Sequence, residues 1–256
     1  MAKPIICLDA GHGGKDSGAC AFGRKEKDDN LDIVKSIGSK LKPYVTVKYT
    51  RTTDVYESPT AKANKADALN ADLFISCHRN CSDDSSGNGY ETLVYSNNGD
   101  KKEFADFVNK EMENIGFKNR GTKIRTDLAV LRKPSMPCVL PEIGFISSQR
   151  DNAIFEDRFE LISDAIAIGA LLATGTIKGT KGIGKTCAYN KNVIAKKDCP
   201  VRSGRAQSKK KIATIKKGDE IKVWYILKNS VRNMWGSVVL ENGKVGFIYI
   251  GNCKPV

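Results

Sequence analysis

The 256 residues predict an α/β fold, a mostly parallel sheet flanked by helices, followed by a small all-β barrel. Three observations carry this expectation. Strand-like and helix-like runs alternate up to about residue 174, a glycine- and lysine-rich stretch then breaks the pattern, and no helical periodicity survives beyond it. The expected organisation is an α/β domain at 1–174, a linker at 175–189 and a β domain at 190–256.

Apolar runs at Pro4–Leu8, Val45–Thr50, Leu73–Cys77, Glu91–Tyr95 and Cys138–Glu142 have the length and composition of strands. Between them Leu31, Val34, Ile37 and Leu41 recur at helical spacing, as do Phe104, Phe107, Val108, Met112 and Ile115. A last apolar helix is expected over Phe159–Ala173. Gly175 to Lys185, rich in glycine and lysine, reads as a flexible linker. After it come short runs at Ile212–Ile215, Glu220–Leu227, Trp235–Leu240 and Val245–Ile250. Turns at Lys217-Gly218-Asp219 and Glu241-Asn242-Gly243 separate them, and Asn-Gly between two apolar runs is a hairpin signal.

Charge divides the chain in the same place. Residues 176–256 hold 18 Lys and Arg against 4 Asp and Glu, whereas the preceding residues hold 24 against 25. A near-neutral body joined to a strongly basic module implies two jobs. No run approaches the ~18 apolar residues of a membrane span. Met1-Ala2-Lys3-Pro4 leads straight into the first strand-like run, without the pattern of a secretory signal, so synthesis and retention in the cytoplasm are expected. The 8 cysteines are scattered and expected to be reduced. Cys77 and Cys81 flank His78, but successive strand residues face opposite sides, so Cys77 reads as core.

The chemistry concentrates on the 2 histidines of the chain. His12 follows Ile5-Ile6-Cys7-Leu8-Asp9-Ala10-Gly11, and His78 closes Leu73-Phe74-Ile75-Ser76-Cys77. In open α/β sheets sites form where strands end, so the pair points to one shared site. Neutral imidazole is a common metal ligand, and a hydrolytic zinc site takes three protein ligands with one position open. Position alone leaves Glu26, Asp28 and Asp29 as candidates for the third. Glu142 ends the apolar run from Pro137, where an unpaired charge is costly to bury, and suits a general base. Singly, each has a plainer reading: His12 as a turn residue, His78 as a structural histidine, Glu142 as a helix cap.

Together these strings carry a resemblance. Leu8-Asp-Ala-Gly-His-Gly-Gly14, Ser17-Gly-Ala19, Glu26 with Asn30-Leu31, and Thr50-Arg-Thr-Thr-Asp54 are its first half. Ala71 to His78 with Asn80, Asn119-Arg-Gly121, and Pro137 to Ser147 are its second. Residues 4–174 resemble the zinc-dependent N-acetylmuramoyl-L-alanine amidases of the Amidase_3 family. The resemblance implies a Zn2+ cofactor held by His12, Glu26 and His78, with Glu142 as catalytic carboxylate; it is what selects Glu26. It also implies the scissile bond, the amide between the lactyl group of N-acetylmuramic acid and L-alanine. Arg79 stands where the family usually has a small residue, and Lys62 is the nearest basic substitute for a usual arginine.

Residues 190–256 resemble a bacterial SH3 domain through Val201-Arg-Ser-Gly204, Ile215-Lys-Lys-Gly218, Trp235-Gly-Ser-Val238 and Asn242 to Phe247. That implies binding to peptidoglycan or to anionic wall polymers. Nucleic acid is the rival for so basic a module, with Trp224, Tyr225 and Trp235 available to stack bases, but it is not expected beside a wall hydrolase. A wall amidase without a signal resembles a phage endolysin acting on the wall after release. A host autolysin or sporulation amidase is the alternative, and a non-catalytic wall- or nucleic-acid-binding protein is the reading from another class.

Overall fold

Ile5-Ile6-Cys7-Leu8 forms the first strand because an unbroken apolar run suits a strand buried on both faces. The computed structural model describes residues 2–83, 86–176, 188–203, 207–228, 234–240 and 245–256, in two compact units, 1–176 and 177–256. In the first unit β1 (Ile5–Ala10) is followed by a short hairpin, β2 (Cys20–Ala21) and β3 (Arg24–Lys25), and by α1 (Glu26–Leu41). Next come β4 (Thr46–Tyr49), α2 (Pro59–Ala68), β5 (Leu73–Asn80), β6 (Tyr90–Val94) and α3 (Gly99–Ile115). The unit ends with β7 (Asn119–Ile124), α4 (Ala129–Arg132), β8 (Cys138–Phe145), α5 (Gln149–Asp157) and α6 (Phe159–Ala173).

The six-stranded sheet runs β4-β1-β5-β8-β6-β7. Every neighbouring pair is parallel except β6 with β8. One face is covered by α2 and α4, whose Ala66, Val130 and Leu131 pack on Cys7, Phe74, Leu93, Cys138 and Leu140. Elsewhere α6 packs against α1 and α3 and is buried from Leu161 to Ala173, which explains why its sequence is apolar all round.

The α/β expectation describes this unit, with differences in particular elements. The sequence pattern misses β7, a sheet-edge strand whose Asn119-Arg-Gly-Thr-Lys-Ile124 is never fully buried and so shows no apolar run. It also misses α2, whose alanines and lysines carry little periodicity, and α5. Both β5 and β8 continue three residues past their expected ends, so His78 and Glu142 lie inside strands rather than closing them. Cys77 is fully buried, and the described cysteines are free.

The second unit is all-β: β9 (Ala188–Ala195), β10 (Cys199–Arg202), β11 (Lys211–Ile215), β12 (Glu220–Lys228), β13 (Met234–Val239), β14 (Val245–Tyr249) and β15 (Cys253–Pro255). They form one seven-stranded sheet in the order β11-β10-β14-β13-β12-β9-β15. Its core gathers Val193, Val201, Val223, Ile226, Val238 and Ile248. Trp235 is buried. The expected turn at Glu241-Asn242-Gly243, and residues 177–187 of the linker expected at 175–189, lie outside the described residues, while residues 188–189 already belong to β9. Among the described residues no helix is long and apolar enough to cross a membrane.

Candidate metal centre

His12 sits two residues beyond β1, in a turn where its own φ is +61°. A non-glycine residue in that region is strained and has to be held by its surroundings. The holding is visible. Arg51, buried at the end of the β4 segment, donates from Nε to the Ala10 carbonyl (3.0 Å) and from Nη2 to the carbonyls of Gly11 (3.0 Å) and Lys27 (2.7 Å). Lys62 of α2 donates to the Ala10 carbonyl at 2.8 Å and pairs with buried Asp9 at 3.0 Å. Thr50 and Ser76 hydroxyls also donate to Asp9. Burial works against the Asp9 charge, yet Lys62 and the two hydroxyls hold its carboxyl below the usual range. Lys62 is thus a buried ion-pair partner beneath the His12 turn.

Glu26 is the first residue of α1, where the helix dipole favours a carboxylate. Its Oε2 accepts from the Ala19 amide at 3.0 Å, and its Oε1 from the Arg79 amide (3.1 Å) and Asn30 Nδ2 (3.2 Å). Asn30 lies one helical turn on, and so shares the face of Glu26. The other two acidic candidates part company here. Asp28 is exposed, and Asp29 is taken up by Arg24 and Arg79.

The three side chains meet. His12 Nε2 lies 3.1 Å from Glu26 Oε2, and His78 Nδ1 lies 2.9 Å from Glu26 Oε1. One ligand atom from each falls within 4.8 Å of the others. Two glycines make the approach possible. A Cβ at Gly11 would stand 2.3 Å from the His78 ring, and one at Gly18 would stand 2.6 Å from His12 and 2.7 Å from Glu26. The far nitrogen of His12, Nδ1, is bonded to Asp16 at 2.9 Å, the kind of support that fixes the ring of a metal-ligating histidine. Burial opposes charge on both groups, but their pairing dominates. Glu26 is held far below the usual carboxylate range by His12 and His78, and His12 is pushed up to about 9 by Glu26 and Asp16.

Glu142 lies beside this cluster, paired in register with His78 across β5 and β8. It is half-buried, and its Oε2 has no hydrogen-bond partner among the described residues. Burial pushes its carboxyl up to about 7; the histidines pull the other way, and Glu26 and Glu91 reinforce the rise. Arg79 is fully buried. It pairs with Asp29, donates to Asn152 at 2.6 Å and stacks over the Phe155 ring at 4.2 Å. Its backbone amide meets Glu26 while its side chain anchors α5, so the large residue beside His78 is accommodated on the far side of the strand.

Two imidazoles and a carboxylate fit zinc by donor chemistry, and three ligands leave a fourth position for water or substrate. An open α/β sheet with such a cluster toward the carboxyl side of its strands can hold one divalent ion beside a carboxylate able to carry a proton, the equipment of a metal-dependent hydrolase. The family model described as N-acetylmuramoyl-L-alanine amidase, Amidase_3, matches residues 6–171, and the chain belongs to that family.

Relatives agree. The chain is 44% identical over 165 residues to an endolysin of Bacillus phage SPP1, covering 61% of this chain and 59% of the endolysin. It is 36% identical over 162 residues to the N-acetylmuramoyl-L-alanine amidase LytC of Bacillus subtilis strain 168, covering 60% of this chain and 32% of LytC. Less than two thirds of either relative is therefore spanned. Among solved structures, the catalytic domain of CwlV, an N-acetylmuramoyl-L-alanine amidase from Bacillus (Paenibacillus) polymyxa var. colistinus, superposes with a TM-score of 0.63. It is 32% identical and covers 68% of this chain and 99% of that domain.

Asp9, Asp16, Asn30, Arg51 and Lys62 support the site. Asp9, Asn30 and Arg51 lie inside the sequence motifs and Lys62 is marked only as a substitute for an arginine, so packing alone reveals what they hold.

Proposed function

We propose that the chain is a zinc-dependent amidase that cleaves the bond between N-acetylmuramic acid and L-alanine in bacterial peptidoglycan, acting as a phage endolysin. The observation that carries this is the convergence of His12, Glu26 and His78 beside Glu142, in a chain of the amidase family. In this reading His12, Glu26 and His78 hold the ion and Asp16 orients His12. Zinc, when bound, supplies a Lewis acid that polarises a carbonyl and acidifies water. Glu142 takes a proton from the attacking water and returns it to the leaving amine. Its unpartnered oxygen and raised proton affinity near neutral pH suit both halves of that task.

The all-β unit is, in this proposal, an SH3-like wall-binding domain occupying residues 190–256, joined by a linker to a catalytic domain at 1–174. Its basic surplus favours anionic wall polymers through long-range attraction. The 44% identity to a phage endolysin supports the phage role; the 36% identity to LytC supports a host wall amidase as second reading. A holin gene beside the coding sequence would decide for phage.

The test is incubation with purified peptidoglycan, with and without a chelator, scoring new amino termini and new reducing sugars separately. Chelator-sensitive release of N-terminal alanine without reducing sugars, restored by zinc, is expected. Reducing sugars, or release indifferent to chelator, would overturn the reading.

A further inference from the structure

The register across the sheet lines up more than the metal cluster. His78 is paired with Glu142 across β5 and β8, and Glu142 with Glu91 across β8 and β6. Residues paired directly across strands project on the same face, so His78, Glu142 and Glu91 form one row. The row ends at Arg120 of β7, whose Nε donates to Glu91 Oε2 at 2.9 Å. The other oxygen of Glu91 accepts from Asn80 at 2.9 Å. Both Glu91 oxygens are thereby occupied by the protein. Arg120 is different. Its guanidinium lies over the Phe145 ring at 4.9 Å, a third of its side chain is exposed, and among the described residues its Nη groups have no partner.

We propose that Arg120 is a substrate-binding residue that takes a carboxylate of the peptide leaving group, with Glu91 as the positioning residue that fixes its guanidinium. The proposal rests on the amidase reading and deepens it. If Glu142 returns a proton to the leaving amine, the departing peptide lies beside Glu142 on the side away from His78. That is where β6 and β7 place Arg120. A guanidinium held through Nε and braced on a ring presents its remaining N–H edge in the fork geometry that matches a carboxylate and that an ammonium cannot reproduce. In the substrate class proposed, the residue after L-alanine carries such a group, either as the free acid or as its amide. Arg120 would read that difference.

The experiment uses the full chain and two soluble muramoyl dipeptides, both blocked at the γ-carboxylate of the second residue and identical except that its α-position is a free carboxylate or its carboxamide. The parent should show a KM about tenfold lower for the acid, the size of one charge-assisted hydrogen bond. Arg120→Gln should erase the difference by raising KM for the acid alone, with zinc content unchanged; Arg120→Lys should keep part of it. Calorimetric binding of the two released dipeptides, γ-blocked L-Ala-D-Glu and its α-amide, should show the same ordering without turnover. A parent indifferent to the amide, or an Arg120→Gln variant that loses both fragments equally, would overturn the proposal, and a folded Arg120→Lys decides should the glutamine variant not fold. If the parent cleaves neither fragment and also releases no N-terminal alanine from purified peptidoglycan, the amidase reading fails. Tighter binding of the acid dipeptide, lost in Arg120→Gln, would then still support the anion site, and its absence would sink both.

Discussion

Protons and metal compete for the same atoms at His12. In the metal-free protein its ring holds a proton up to about 9, because Glu26 and Asp16 outweigh the cost of burying the charge. A ligating nitrogen must be deprotonated, so zinc uptake at about pH 7.5 should release about one proton. Calorimetry in buffers of different ionisation heat reads this directly, and uptake without proton release would refute the ion-paired state. The same shift stabilises the metal-free fold fully below about 6.5 and is lost as pH rises through about 9. Glu142 behaves differently. Its fold favours the neutral form, so ionising it costs stability progressively from 4.5 to about 7. Glu142→Gln should therefore melt higher than the parent at pH 8 and equally at pH 4, both metal-free, while abolishing cleavage and retaining zinc. An equal offset at both pH values would show a packing effect instead. His78→Ala should lose the metal outright, and a variant with full zinc content would remove it from the ligand set.

The turn after β1 is the element on which the site depends. It carries a strained His12 and is tied down from β1, α1, α2 and the β4 end by Arg51, Lys27, Lys62 and Asp9. Arg51→Met should keep the sheet but release the turn, weakening zinc affinity about 10- to 100-fold, as loss of supporting hydrogen bonds does elsewhere. Metal titration against a competing chelator measures it, with circular dichroism confirming the fold; unchanged affinity would mean that the strand end alone holds the turn. Lys62→Met is harsher, since it leaves buried Asp9 without its cation and should cost about 3–5 kcal/mol of stability. Little in the local sequence warns of this. Lys62 lies in Ala61-Lys-Ala-Asn-Lys65, where a lysine ordinarily faces water, and only the packing of α2 on β1 turns it inward.

At the scale of the whole molecule the charge division coincides with the structural one, the boundary between units falling at 176 and 177. Two self-contained cores predict separable folding. Residues 1–176 should hydrolyse a soluble muramoyl peptide as well as the full chain does, but should act less on intact walls. Residues 177–256 should pellet with walls, and less so as salt rises if charge dominates. Salt-insensitive pelleting would point to a shaped pocket, and a catalytic unit equally active on walls would deny the second unit a targeting role.

Much of this is legible in the sequence. Apolar runs reveal buried parallel strands because such strands are buried on both faces, and so β1, β5 and β8 stood out, with His12 just beyond the first and His78 and Glu142 within the other two. The helical stripes of α1, α3 and α6 were visible for the same reason. What burial does not mark was missed: the edge strand β7 and the alanine–lysine helix α2. Arg120 and Lys62 were singled out only through likeness to a family, and the contacts they make were not legible. The choice of Glu26 over Asp28 and Asp29 came from likeness to a family, since three acidic residues in one helical turn are alike in sequence. The tertiary structure separates them. One is sent to solvent and one to Arg24 and Arg79, while Glu26 meets both imidazoles, because contacts between residues 52 apart along the chain depend on strand register rather than on local pattern.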